Sequence, residues 1–394
     1  MFDLIKGRGR SVFATRDSVI YLFNLFRVIG FHPPTKFRFL YYIYSSILTL
    51  FVIVFSPIVF NVGWIRDRHI LSVSEILTCV QASLNVIGVP MKSISLVFAL
   101  KRLRSIEPLL TKLDRRYTEM DEKAKIRHCA IKGNRIVFFY AISYMLYLIV
   151  AGISAIINSN APLSLWIPNV NWRMSKWEYW FQFTFDLLIL FIILLFQIVG
   201  DTYAAVYIYI IRTQVQLLAN RVQRLGTLVY QNRDQIYDEL HTCIIIHQDI
   251  LRIVTIIEPI ISVTMFVQFF IAAAIVSTTM INIFIFADFA SRIAACIYLY
   301  CVLLQTWPSC FYATHLQSDC EQLSMSIFHS NWMPQEKRFN NLLIFFLHRT
   351  QKGIPLFAMK LMPVNLSTSL SIGKFSFSLY TFIQKMGLGK NLKN

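Results

Sequence analysis

The chain has 394 residues, of which 56% are apolar and only 15% charged, where a soluble domain carries about a quarter charged. The apolar residues, 33 Phe and 18 Tyr among them, come in blocks along the whole chain, which excludes a soluble core as their destination. The formal charge of +17 sits in the gaps between those blocks and favours one side, which excludes a nucleic-acid surface and is the pattern of membrane topology.

Residues 1–36 are basic and hold no apolar core before a small-residue cleavage site, so no signal peptide is expected and insertion starts from the first span. Seven apolar blocks follow, each near or beyond the ~20 residues that cross a bilayer. They are Phe37–Phe60, Ile76–Leu100, Ile136–Ile157, Trp180–Ile211, Ile253–Ala287, Ile293–Ala313 and Leu361–Met386. With the N-terminus placed inside, the inner segments hold 28 of the 38 Lys and Arg and the outer segments 8. That bias predicts a cytosolic N-terminus and, after an odd number of spans, an extracellular C-terminus. The connection from the third to the fourth block carries Pro162, Trp166, Pro168, Trp172, Trp177 and Trp180, which read as interface anchors or as a roof over a pocket.

The fourth and fifth blocks, of 32 and 35 residues, are too long for a hydrocarbon core of about 30 Å and are expected to protrude into the cytosol. Between them Val215, Leu218, Val222, Leu225 and Val229 recur at heptad-like spacing, and Ile236, Leu240, Ile244 and Leu251 extend the pattern after a break near Gln231–Arg233. The apolar run Leu342–Leu347 is too short to cross and reads as a buried helix packed on those protrusions. Residues 212–252 and 314–360 are therefore expected to form a cytosolic helical base under an all-α, seven-helix, single membrane domain spanning residues 1–394. No internal repeat is visible, which weakens an inverted-repeat transporter.

The seven Cys show no CxxC pair and read as small buried hydrophobes. His241, His247, His315, His329 and His348 lack metal-ligand spacing and read as solvated or packing residues, so no metal or cofactor is expected. Asn365–Leu366–Ser367 is a glycosylation sequon, placed by the topology at the cytosolic mouth and expected to stay unmodified. Lys92, Asp186, Asp201 and Glu258 are costly at membrane depth. Asp201 and Glu258 lie toward the cytosolic ends of long helices, where solvent or an Arg could satisfy them. Asp186 lies in the outer third of its span and could face a pocket.

Seven spans suggest a G-protein-coupled receptor, yet the predicted N-terminus is inside. Asp114–Arg115–Arg116–Tyr117 lies mid-loop rather than at the end of the third span, and the last span has no Asn-Pro-x-x-Tyr. The C-terminal stretch points elsewhere. Ser324 to Trp332, Arg338, Arg349, Pro355 and Ala358 resemble the last cytosolic segment of insect odorant receptors. Met362 to Ser369 and Phe375 to Phe382 (FSFSLYTF) look like that family's Pro-initiated final span. The sister gustatory receptors fit less well, since Tyr380–Thr381 is in the opposite order to theirs. The cytosolic loop between Ile211 and Ile253 is much shorter than that of the universal co-receptor, so the chain resembles a variable, ligand-tuning subunit.

The resemblance implies an odorant-gated, non-selective cation channel rather than an enzyme. It implies assembly with co-receptor subunits as a hetero-tetramer, in the plasma membrane of a sensory neuron dendrite. The base, through the Val215–Val229 seam with Leu343 and Phe346, is then expected to pack between subunits. It also implies seventh spans that line the pore and a pocket for a small volatile in the outer half of each subunit. A gustatory-type channel and a secondary transporter are the alternatives.

Independently of the family, Ser367, Ser371, Lys374, Ser378, Thr381 and Lys385 form one polar stripe on the last span, suited either to pore lining or to helix packing. The resemblance favours the pore and sets Thr381 about where the family has an apolar gate residue. Lys374 would raise the barrier to cations unless the other lining helices come from co-receptors or its amine snorkels away. Depth then nominates a pocket wall of Leu77, Val80, Gln81, Leu84, Leu148, Ile149, Gly152, Ile153, Ile156, Phe181, Thr184, Phe185, Leu188, Tyr298 and Cys301. That apolar wall with a few polar groups suits hydrophobic burial of a volatile, although any one such residue is more often plain core.

Overall fold

The structure, a computed structural model, describes residues 13–33, 37–157, 159, 161–163, 165–167, 170, 173–226, 232–287 and 289–386. A 3₁₀ turn (Thr15–Val19) leads into α1 (Ile20–Val28). There follow α2 (Arg38–Asp67), α3 (Val73–Arg104), α4 (Ile106–Asp114), α5 (Met120–Ile157) and α6 (Lys176–Gln223). Next come α7 (Arg233–Ile281), which runs into a π turn over Asn282–Phe286, α8 (Phe289–Phe328) and α9 (Lys337–Thr350). A two-strand hairpin, β1 (Phe357–Ala358) and β2 (Met362–Pro363), precedes α10 (Leu366–Lys385).

Six helices among the described residues, α2, α3, α5, α6, α7 and α8, are long and apolar enough to cross a membrane. The seventh, α10, has 20 residues and interrupts its apolar surface with Ser, Thr and Lys. Large apolar side chains such as Phe39, Leu40, Phe98 and Phe270 face outward on the spans, the arrangement of a protein whose solvent there is lipid.

The helices overrun the spans read from hydropathy, and the overrun lies mostly on one side. At 48 residues α6 would be about 70 Å long, so more than half of it lies outside any hydrocarbon core. An unbroken stretch of it, Phe196 to Ile211, is buried, because α5, α7 and α8 wrap it from several directions. A helix apolar all round needs that kind of enclosure. The third helix also extends beyond its span, since α5 starts at Met120 rather than Ile136. The loop expected over residues 101–135 is thus largely helical.

The base expected from the heptad pattern takes shape where α6, α7 and α8 project together, with α4 and α9 against them. Val215, Leu218, Val222, Leu225, Ile236 and Leu240 are all buried, and Val229 lies outside the described residues. Their burial is within this one chain, which corrects the expectation that this seam is shared between subunits. Leu343 and Phe346 of α9 are likewise buried, at 6% and 3% exposure, with Phe346 edge-on to His247. The outward residues of that helix are Ile344 and Phe345, exposed at 64% and 75%.

Ion pairs tie the base across helices. Arg212 reaches Asp319 at 2.6 Å, Lys112 and Arg116 converge on buried Asp249 at 3.2 and 3.1 Å, and Arg221 and Arg224 engage Glu239 and Glu119. The basic N-terminal segment also belongs here. Thr15 to Val19 and α1 tuck against α5 and α6, where Gly133 admits Ser18 at a distance no side chain would allow. Asp114, the first residue of the Asp-Arg-Arg-Tyr run, accepts from the Thr15 amide and hydroxyl at 2.7 and 2.6 Å, a structural role.

The last span starts later than hydropathy placed it. Met359 and Lys360 take positive φ values of 49° and 59° in the turn of the hairpin, so the chain reverses at Leu361 instead of beginning a helix. Asn365 then caps α10 by accepting from the Thr368 amide at 2.9 Å. That bond occupies the side chain of the sequon.

Candidate functional site

A cavity of about 890 Å³ opens at the end of the bundle opposite the base. Its walls come from Phe60 of α2, the first turns of α3, the last turns of α5, the π turn at Phe286 and the start of α8. Ala161, Pro162, Leu163 and Arg173 of the α5–α6 connection lie over it. The sequence makes this space with small side chains at helical spacing. On α5 the facing stripe is Tyr147, Ala151, Ser154 and Ala155, and on α8 it is Ser291, Ala294, Ala295 and Tyr298. The short members of each stripe, Ala151, Ser154 and Ala155 on α5 and Ser291, Ala294 and Ala295 on α8, leave a gap that core packing elsewhere would fill, with Tyr147 and Tyr298 at its edge.

Asp186 holds the cover down. Its carboxylate, fully buried on α6, accepts from the Leu163 amide at 3.0 Å and from Gln182 Nε2 at 2.7 Å, while Gln182 also reaches the Leu165 carbonyl. Asp186 is therefore a loop anchor and not a wall residue. None of the described tryptophans lines the cavity. Trp166, Trp177 and Trp180 are exposed in the manner of interface anchors, while Pro168 and Trp172 lie outside the described residues.

Of the fifteen wall residues nominated by depth, Gln81 and Tyr298 line the cavity. Ile149, Ile153, Ile156, Phe181, Thr184 and Leu188 are exposed on the outer surface of α5 and α6, facing the lipid direction. Leu77, Val80, Leu84, Leu148 and Phe185 are half-buried between helices, Cys301 is buried, and Gly152 packs against Leu187 and Phe183. Hydropathy nominates residues by depth and carries no information on rotation about the helix axis. One residue turns a helix by about 100°, so the wall of α5 falls on Tyr147, Ala151 and Ser154 rather than on the bulkier residues beside them. The stripe of small residues was the available signal.

Membrane-depth charge is resolved by a five-helix polar node. Lys92 Nζ of α3 donates to Asp201 Oδ1 at 2.7 Å and to Gln268 Oε1 at 2.8 Å. Tyr144 and Gln197 donate to Asp201 Oδ2 at 2.7 and 2.8 Å, and Gln268 Nε2 donates to Gln305 at 2.5 Å. Neither solvent nor an Arg satisfies Asp201; its partner is Lys92, 109 residues away in sequence. Glu258 is half-buried.

The polar stripe of α10 stands on the side turned away from the bundle. Ser367, Ser371, Lys374, Ser378 and Lys385 are exposed and Thr381 is half-buried. On the opposite side Ser376 is fully buried, bonded to the Ser277 hydroxyl at 3.1 Å. The stripe hydroxyls satisfy themselves within the helix: Ser371 donates to the Ser367 carbonyl, Ser378 to Lys374 and Thr381 to Ser378. Packing inside this chain therefore falls to Ser376, and the stripe is left for whatever lies outside. Among the described residues no cluster of His, Cys, Asp or Glu could hold a metal. All seven Cys are free thiols, five of them buried.

Comparison with known proteins decides the family. Residues 72–377 match the model described as 7tm Odorant receptor. Odorant receptor 42a of Drosophila melanogaster is 33% identical over 379 residues, covering 96% of this chain and 93% of its own length. The chain belongs to the insect odorant receptor family. Odorant receptor 59b of the same organism is 28% identical over 96% of both chains. In fold, the receptor resembles the insect olfactory receptor OR5 from Machilis hrabei, solved in complex with eugenol. The TM-score is 0.77 at 14% identity, over 98% of this chain and all of that one. This odorant receptor is thus a multi-pass membrane protein and a chemoreceptor of olfaction, not an enzyme.

Proposed function

We propose that this odorant receptor is the ligand-tuning subunit of a cation channel, holding a small volatile in the 890 Å³ cavity and opening a pore together with co-receptor subunits in a hetero-tetramer. The observation that carries the reading is the cavity itself, lined by small side chains and the aromatic rings of Phe60, Tyr147, Phe286 and Tyr298, with Glu75 and Arg173 also on its wall, far from the packed base. A non-polar volatile binds such a site by burial of its surface. The solved olfactory receptor with eugenol supports a small organic ligand of that kind.

The inside-positive bias of 28 to 8 supports a cytosolic N-terminus, a cytosolic base and an extracellular C-terminus. Membership of the odorant receptor family supports the plasma membrane of a sensory dendrite as the place. The stripe Ser367, Ser371, Lys374, Ser378, Thr381 and Lys385 then faces the conduction path, with Thr381 near the gate. Two experiments test this. A C-terminal epitope stains intact cells expressing the receptor with its co-receptor, and an N-terminal epitope stains only permeabilised ones; the reverse pattern sinks the topology. In the same cells a volatile panel evokes current, and a charged thiol reagent applied from outside modifies it in Thr381→Cys but not in Ser376→Cys. Equal protection at both positions with normal currents means that the stripe packs against helices and does not line a pore.

A further inference from the structure

The cavity wall contains an unspent hydrogen-bond donor. Gln81, on α3, is 1% exposed, and its Nε2 has no partner among the described residues. Buried amide protons without acceptors are rare in native folds, and one that borders a cavity points to what the cavity takes. The neighbouring polar groups are already engaged. The Tyr298 hydroxyl accepts from Asn85 Nδ2 at 2.6 Å and donates to the Gln81 main-chain carbonyl at 3.1 Å, which locks the phenol. Thr78 donates to the Ser74 carbonyl and accepts from Asn282, Ser74 donates to Asn282, and Ser72 and Glu75 cap α3 reciprocally.

We infer that the cavity selects neutral, mostly apolar ligands carrying an exposed hydrogen-bond acceptor, such as a carbonyl oxygen, which accepts a hydrogen bond from Gln81 Nε2. The inference rests on the proposed ligand-binding reading of this cavity and deepens it by naming the ligand class. A hydrocarbon of the same shape fills the same space but leaves the amide bare, or displaces a water without replacing its bond. A site that presents a donor rejects the analogue lacking the acceptor more strongly than an apolar site rejects a missing methylene. Gln81 is thus a specificity-determining residue, while the small-residue stripes set the size.

The test uses matched pairs on the receptor co-expressed with its co-receptor. Each 2-alkanone from 2-pentanone to 2-decanone is compared with its methylene isostere, in which C=CH₂ replaces C=O, by the concentration giving half-maximal current. The ketones are expected to act at roughly fivefold to tenfold lower concentration than their isosteres, the scale of one neutral hydrogen bond. In Gln81→Met that ratio collapses toward one, because the ketone weakens while the isostere does not. Taking the ratio within the same cells cancels changes in surface delivery. Equal potency within pairs on the wild-type receptor overturns the inference while leaving the ligand-binding reading standing. A full ratio surviving in Gln81→Met, or in Gln81→Leu should the methionine variant stay inside the cell, does the same. Silence of the wild-type pair toward every ketone while other volatiles evoke current also overturns the inference, and silence toward the whole volatile panel defeats the ligand-binding reading as well.

Discussion

The two ends of the helical bundle are built from the same helices by opposite means. At the base, α6, α7 and α8 carry large aliphatic side chains inward, Leu217, Leu218 and Ile250 among them, and cross-helix pairs such as Arg212–Asp319 lock their surfaces. At the other end, α5 and α8 present Ala and Ser on their facing sides and leave 890 Å³ unfilled under a loop pinned by Asp186. Filled interiors resist deformation, whereas small residues trade packing for room. The same helices thus give the chain a tightly filled end and a loosely filled one. The Lys92–Asp201 node sits between the two regimes, and its bonds reach α3, α5, α6, α7 and α8.

The largest expected effect comes from breaking that node. Lys92→Met strands a buried carboxylate, a loss of about 3–5 kcal/mol that takes up most of the margin of a marginally stable protein. Surface delivery and a monodisperse solubilised complex should both be lost. Adding Asp201→Leu removes the orphaned charge and should restore delivery at least in part. If Lys92→Met alone is delivered normally, the node is not what joins the two ends.

The second test separates internal packing from assembly at the base. Leu343→Asp places an unpaired charge in the core beneath α9 and should abolish folding, at a cost of several kcal/mol. The pair Ile344→Asp and Phe345→Asp changes only exposed positions of the same helix, so the receptor should fold and reach the membrane yet co-purify poorly with the co-receptor. Unchanged co-purification would move the subunit contact away from α9.

At the cavity end the expected effects are functional and not structural. Ala151→Phe projects a ring into the free space, where there is no core to overpack, and should raise the half-maximal odorant concentration tenfold or more with normal surface delivery. Ile153→Ala, two residues on but exposed on the outside of α5, should leave potency unchanged. Dose–response curves on the co-expressed receptor decide it, and equal shifts in the two variants would mean that the cavity is not the odorant site.

How much of this was legible in the sequence also divides by region. The heptad seam at Val215, Leu218, Val222 and Leu225 was readable because burial leaves a periodic apolar signature, although that signature does not say whether the partner helix belongs to the same chain. The stripe on α10 was readable because polar residues at helical spacing mark one face, although the spacing does not say what that face meets. The cavity wall was not, because hydropathy reports depth while wall membership depends on rotation about each helix, and Ile149, Ile153 and Ile156 attract attention by bulk. The Lys92 partner was hidden because contacts 109 residues apart leave no local pattern. The helix at Ile20–Val28 was hidden because its basic surroundings read as a topogenic tail.

The smallest expected effect concerns acid, and it belongs to the base side alone. His32 lies beside the C-terminal turn of α3, with its Nδ1 2.5 Å from an Arg104 guanidinium nitrogen and its amide donating to the Tyr41 hydroxyl at 3.2 Å. Burial first, and then the charges of Arg104 and Arg27, push its pKa below the usual 6.5, so the folded receptor favours the neutral ring. Its Nδ1 then accepts from Arg104. The unfolded chain binds the proton more readily, so stability from this contact is complete above pH 6.5 and drains away as pH falls through the folded-state value. His32 is partly exposed and screened, so the loss is modest. Thermal melting of the solubilised complex should show a somewhat larger drop from pH 7.5 to 5.5 in the wild type than in His32→Gln, which keeps a neutral acceptor for Arg104 and cannot titrate. An identical drop in both would place the acid sensitivity in other groups of the base. A larger drop in His32→Gln would mean that the folded receptor binds the proton at His32 more readily than the unfolded chain does, the reverse of the direction argued here.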